Sequence, residues 1–184
     1  MKINLLKKHA KSFYFAGLFL DRKTLNDAAI LYAFCRQLDD AADQEEEQDK
    51  LDYLIADYKK EVPDDLINKE FRKLQNTYQL DQKFIDDLIL GVSSDINFKQ
   101  PKDLSDLVKY SYQVAGTVGA LMAKILGANH DHAWKFAIDL GIGMQITNIS
   151  RDIKEDAESG RIYIPENMLP HNFKAQDITN GSND

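Results

Sequence analysis

The chain has 184 residues and a mass of 21.0 kDa, enough for one domain with a sizeable core. Its 43% hydrophobic and 29% charged residues exclude wholesale disorder, and nine Gly with four Pro disfavour a many-stranded β fold. The net charge is −7, and the window from Asp39 to Asp52 alone accounts for it, with eight acids against Lys50. The rest is neutral overall, without the basic footprint of a nucleic-acid binder.

One cysteine, Cys35, excludes an intrachain disulfide and fits a reducing, cytoplasmic compartment. Lys11, Asp21, Arg22 and Lys23 crowd the first apolar stretch, which argues against a signal sequence. The most lipid-like segment, Val114 to Ala128, carries Lys124 and falls short of the roughly 20 apolar residues of a bilayer span, so it reads as a buried helix.

In chain order, Ile30, Leu31, Phe34, Leu38 and Ala42 repeat at three and four and predict a helix over residues 25–43. Leu51, Leu54, Ile55 and Tyr58 predict a second helix and residues 66–80 a third. Phe84, Ile85, Leu88, Ile89 and Val92 predict a fourth within residues 81–96. Asp103 caps a long helix reaching about Leu126 and stopped by Gly127. The last long helix runs from His130 to about Glu158, with Ser159 and Gly160 as its stop signal. Beyond Pro165 the chain turns polar, and residues 166–184 read as a fraying tail. The expected fold is all-α, a single helical domain over residues 1–184 with no repeat and no linker.

Two polar stripes carry the chemistry. Tyr32, Arg36, Asp39 and Asp43 follow steps of four, three and four, and so share one helix face. Asp39 and Asp43 then sit about 6 Å apart along the axis, a like-charge pair that destabilises a helix unless a cation lies between them. A solvated acidic face is the equally open alternative. Gln145, Asn148, Asp152 and Asp156 step by three, four and four along a second face, beside Arg151 and an apolar stripe of Ile146, Ile149 and Ile153. Facing each other, the two stripes form a cage of hard oxygen donors suited to Mg²⁺, which shares its coordination with water and phosphate. No Glu is followed three residues later by His, and one Cys with four His serves zinc poorly. An acidic site accepts a phosphate only through cations, and Arg36, Arg151 and Arg161 add to the positive charge. Spacing therefore suggests metal-assisted chemistry on a diphosphate inside a helical bundle.

These segments resemble the squalene and phytoene synthase family, the head-to-head trans-prenyl transferases. Residues 32–43 resemble the family's first aspartate-rich motif, and QITNISRDIKEDAESGRIYIP (residues 145–165) is similar to the second almost residue for residue. YSYQVAGTVG (residues 110–119) resembles its glycine-containing pocket helix, and His9, Ser12 and Phe13 its N-terminal substrate-contacting segment.

The resemblance implies an isoprenoid-synthase-type bundle with a central cavity. It makes Asp39, Asp43, Asn148, Asp152 and Asp156 ligands of Mg²⁺, with Mn²⁺ as a substitute, and counts the four aspartates and Tyr110 as catalytic. It places Arg151, Arg161 and Tyr163 at the diphosphate end, and His9, Ser12, Phe13, Tyr32, Arg36, Gln145, Val114 and Gly119 against substrate. The implied reaction condenses two farnesyl or geranylgeranyl diphosphates through a cyclopropyl intermediate to a phytoene- or squalene-like product, with NADPH needed only for the latter; the motifs lean toward the phytoene type.

Family members continue past the second motif with helices that complete the pocket. An apparent truncation at Asp184 leaves those helices absent, the faces around residues 114–126 and 138–149 short of cover, and self-association expected. A water-insoluble product implies peripheral membrane contact. The alternative is a truncated, non-catalytic family member acting as a binding or assembly protein. Plainer readings stand beside the assignments: close helix packing for Gly116 and Gly119, core tyrosines for Tyr32 and Tyr110, capping of the preceding helix for Arg161, and a small buried residue for Cys35.

Overall fold

The computed structural model describes residues 2–42, 48–128, 130 and 132–180, and all regular secondary structure among them is helical. Short helices α1 (Lys2–His9) and α2 (Lys11–Gly17) lead into α3 (Arg22–Ala42), whose buried face carries Ile30, Leu31, Phe34 and Leu38 as the periodicity requires. The helix begins three residues before the predicted start; Asp43, its predicted end, lies outside the described residues.

Helices α4 (Gln48–Tyr58), α5 (Leu66–Tyr78) and α6 (Gln82–Ser94) match the predicted elements. Asp65 starts α5 by accepting from the amides of Ile67 and Asn68, and Asp81 starts α6 by accepting from that of Lys83. The main core lies among α3, α4, α5, α6 and the later α8 (Thr117–Ile125). Phe34 stacks on Phe71 with ring centroids 3.8 Å apart, Tyr58 tilts onto both, and Leu38, Leu51, Ile85, Leu88 and Leu121 close around them.

The predicted 103–126 helix is capped by Asp103, which accepts from the Asp106 amide, and ends at Gly127 with φ 79°. Its interior is not uniform. α7 (Leu104–Ser111) passes into a five-residue π turn, Tyr112–Gly116, before α8. The π turn lies against α6 at Gly91, where an added Cβ would meet the Gln113 Cβ at 2.7 Å.

The predicted final helix also divides, at Asp152 (φ −102°, ψ 15°), into α9 (Ala133–Arg151) and α10 (Ile153–Glu158). α8 and α9 cross so closely that a Cβ on Gly119 would stand 2.2 Å from the Ala137 carbonyl oxygen. The expected lack of cover applies to only one of the two stretches. Ala120, Leu121, Ala123 and Ile125 of α8 are buried, whereas Leu140 and Met144 of α9, within the second stretch, are 66% and 39% exposed.

The chain beyond Pro165 does not fray over its described part, which corrects the expectation of a tail. The Glu166 amide donates to the Pro101 carbonyl (2.8 Å), a 3₁₀ turn follows at Glu166–Met168, and α11 (Ala175–Asn180) packs on α10. Ile178 of α11 shares a small apolar crevice with Ile149, Ile153 and Ile162, a pattern too short for periodicity to reveal. Among the described residues no helix is long and apolar enough to cross a membrane.

Candidate functional site

A cavity of about 1230 Å³ opens between α3, the α6–α7 connection, α7, the end of α9, α10 and the segment returning after α10. α3 contributes Arg36 and Asp39, α9 contributes Gln145 and Asn148, and the helix break supplies Asp152, with Glu155 and Asp156 one turn on. The two polar stripes therefore meet across one space.

The return of the chain follows from one turn. Gly160 takes φ 77°, and the amides of Gly160 and Arg161 donate to the carbonyls of Ala157 (3.0 Å) and Asp156 (2.9 Å). That reversal brings the Arg161 and Tyr163 side chains into the lining. Arg161 thus caps α10 with its backbone while lining the cavity. Gln100 fixes the segment by donating to the Ile164 carbonyl at 2.7 Å.

Charges in the lining are partly paired. Arg36 binds Asp40 at 2.6 Å, yet its Nε is buried with no hydrogen-bond partner among the described residues. Buried donors are normally satisfied, so this orphan leaves the Arg36 guanidinium, whose residue lines the cavity, with hydrogen-bonding capacity unused. Arg151 donates to both oxygens of Asp152, from Nε at 2.7 Å and from a terminal nitrogen at 2.5 Å. Those bonds hold the Asp152 carboxyl below the usual carboxylate range.

Beside the carboxylates stands an aromatic wall. Tyr110 and Tyr163 stack at 5.1 Å, Phe98 meets Tyr163 edge-on at 5.0 Å, and Ile149 and Leu107 complete the cluster. Burial first, and then the charge of Asp95, push both tyrosine hydroxyls well above their ordinary value, so they stay protonated.

Of the predicted site residues, Arg36, Asp39, Tyr110, Gln145, Asn148, Asp152, Asp156, Arg161 and Tyr163 line the cavity. Tyr32, Arg151, Val114, Gly119, Ser12 and Phe13 do not: Arg151 is exposed and reaches the cavity only through Asp152, and Val114 and Gly119 serve helix packing. Ser12 and Phe13 are exposed on α2. Asp43 and the His9 side chain lie outside the described residues. Sequence reasoning missed Asp95, Ile96 and Phe98, which line the cavity from a connection where no periodicity operates. Their one sequence signal is position, just past the fourth helical stripe.

The donor set bears on a metal directly. Among the described residues no group of three His, Cys, Asp or Glu side chains is placed so that it could hold a metal ion by itself. Asp39 on one wall and Asn148, Asp152 and Asp156 on the other leave coordination to be completed by water and an anion, a donor set that fits Mg²⁺ bound together with a diphosphate.

An all-helical bundle with a polar cavity of this make-up is the architecture of the isoprenoid synthases. A crystal structure of a dehydrosqualene synthase in complex with ligand superposes with a TM-score of 0.83 at 32% identity, covering 90% of this chain and 60% of that one. A squalene synthase from Alicyclobacillus acidocaldarius shares the fold at TM-score 0.78 and 23% identity, covering 97% of this chain and 72% of that one.

The family model for squalene/phytoene synthase matches residues 6–184, and the chain belongs to that family. It is 33% identical to a 15-cis-phytoene synthase of Paracoccus sp. over 174 residues, covering 87% of this chain and 57% of that protein. A 15-cis-phytoene synthase of Pantoea ananas is 32% identical over 182 residues, covering 88% of this chain and 58% of that protein. The chain thus spans less than two thirds of either relative.

Proposed function

We propose that the cavity binds the diphosphate of an allylic prenyl diphosphate and joins two such molecules head to head, in a phytoene-type condensation. The observation that carries this is the convergence of Asp39, Asn148, Asp152 and Asp156 on one cavity that also holds Arg36 and Arg161. Kinship with two 15-cis-phytoene synthases supports geranylgeranyl diphosphate as substrate over the farnesyl ester.

Asp39, Asn148, Asp152 and Asp156 would hold Mg²⁺, with Asp43 as a further ligand by resemblance. Bound there, the ion would neutralise the leaving diphosphate and lower the cost of breaking the allylic C–O bond. Arg36 and Arg161, both in the lining, would add positive charge beside the same leaving group. Phe98, Tyr110 and Tyr163, packed on one another in the lining, would place aromatic surface beside the resulting cation, an interaction that strengthens where water is absent. Attack by the double bond of the second substrate gives a cyclopropyl intermediate. Closing that ring would cost a proton and keep the second diphosphate. Loss of this diphosphate would then let the skeleton rearrange, ending in loss of a further proton for a phytoene-like product or in hydride transfer from NADPH for a squalene-like one.

The test is incubation of the chain with geranylgeranyl or farnesyl diphosphate and Mg²⁺, with and without NADPH, reading pyrophosphate and organic products. A C40 triene without NADPH is expected. No pyrophosphate release from either substrate refutes the proposal and favours a non-catalytic binding or assembly role.

A further inference from the structure

Asp95 is absent from both motifs, yet it ties the aromatic wall together. It follows α6 directly, its amide closing that helix onto the Val92 carbonyl. Its Oδ2 accepts from the Tyr110 hydroxyl at 2.9 Å and its Oδ1 from the Tyr163 hydroxyl at 3.2 Å. The two hydroxyl oxygens lie 3.3 Å apart. One carboxylate thus clamps phenols from α7 and from the segment after α10 against the end of α6.

The proton count fixes the orientation. Three oxygen–oxygen contacts share two phenol protons, and a carboxylate brings acceptors only. The charged carboxylate is the stronger acceptor and makes the two shorter contacts, so both protons go to Asp95 and the 3.3 Å hydroxyl–hydroxyl contact holds none. Both tyrosines line the cavity with their protons committed to Asp95, and Phe98 packs edge-on against Tyr163.

We propose that Asp95 is a positioning residue: by taking both phenol protons it turns the oxygens and ring faces of Tyr110 and Tyr163, rather than their protons, toward the prenyl cation. This rests on the condensation proposed above. A cation meeting electron-rich oxygens and rings survives long enough to rearrange. A tyrosine free to rotate would offer its proton instead and open the wall to water, which would quench the cation to an alcohol. Asp95 acts through the tyrosines and so governs the fate of the cation more than its formation.

Asp95→Asn tests this at nearly constant shape. An amide replaces one acceptor with a donor, so one of the two hydroxyls must turn away. With prenyl diphosphate and Mg²⁺, the hydrocarbon-to-alcohol ratio should fall roughly tenfold more than pyrophosphate release does. In a Tyr110→Phe/Tyr163→Phe background, Asp95→Asn should add little, because its effect passes through those hydroxyls.

A second readout needs no activity. With ¹³Cζ-labelled tyrosine, two of the eight tyrosine resonances, those lost in Tyr110→Phe and Tyr163→Phe, should shift in Asp95→Asn. The proposal is overturned if neither resonance moves, if pyrophosphate release and hydrocarbon fall together, or if the effect persists without the two hydroxyls. Should the unsubstituted chain release no pyrophosphate, the condensation reading fails, and the resonances still decide whether Asp95 orients the tyrosines.

Discussion

A carboxylate that lines a cavity and touches only one exposed cation contributes little to folding, and this separates function from structure at Asp152. Its contact is Arg151, on the surface, and exposed pairs of this kind contribute about 0–1 kcal/mol. Asp152→Asn should therefore leave helicity and melting temperature nearly unchanged while slowing pyrophosphate release by about 100-fold. Circular dichroism and a pyrophosphate assay on one preparation check both halves; a large loss of helicity would make the residue structural. Cys35 illustrates the opposite case. Burial pushes its thiol up to about 12, with Asp39 adding to the rise, so at pH 8 it should resist alkylation until the chain unfolds. Asp39, Asn148, Asp152 and Asp156 were legible in the sequence because polar groups repeating at three and four on an otherwise apolar helix need a reason. Asp95 was not, because a residue just past a helix end has no period, and its partners are 15 and 68 positions away.

At the scale of elements, Asp57 joins the end of α4 to the start of α5. It is fully buried, and its carboxylate accepts from the amides of Asp64 (2.9 Å) and Asp65 (3.0 Å), from Asn68 Nδ2 (3.0 Å) and from Lys60 Nζ (3.1 Å). Burial pushes its pKa up, but the donors together outweigh that and hold it well below the ordinary carboxylate value. Because the folded value is depressed, the stability it contributes is complete above the unfolded value near 4 and is lost as pH falls below it. Asp57→Ala should cost roughly 3 kcal/mol at pH 7 by stranding buried donors. Melting curves from pH 7 to pH 3 should show a shallower acid loss in the variant than in the parent. Gly119 belongs to the same scale. Resemblance gave it to the substrate; the α8–α9 crossing claims it for packing, and Gly119→Ala should destabilise by about 1–3 kcal/mol as the Ala137 carbonyl is pushed aside. The helices themselves could be read from apolar spacing and from Asp81, Asp103, Gly127 and Gly160. The π turn at Tyr112–Gly116 and the break at Asp152 could not, since neither segment holds a proline, and the π turn lies against Gly91 of α6, far from it in sequence.

At the scale of the whole molecule, the cavity gathers parts of the fold that the main core does not bind to one another. The core joins α3, α4, α5, α6 and α8, whereas the cavity's other wall, α10 and the returning segment, is held by the small cluster of Leu107, Ile149 and Tyr163, by the Gln100 side chain and by backbone bonds to Pro101 and Lys102. Acidic groups on the two walls face each other, so without counter-charge the cavity works against closure. A cation and an anion bound together should reverse that. Ligand present at about 100 times its dissociation constant stabilises the folded state by about 2.7 kcal/mol. At roughly 2–4 °C per kcal/mol for a chain of this size, Mg²⁺ with inorganic pyrophosphate should raise the melting temperature by about 5–10 °C. Neither alone should match it, because pyrophosphate without a cation meets the carboxylates and Mg²⁺ without an anion lacks ligands. The joint shift should vanish in Asp39→Asn and in Asp156→Asn, which remove one wall's charge each while leaving the core intact. Equal shifts in both variants and the parent would place the ions elsewhere on the surface and detach the two polar stripes from any shared site.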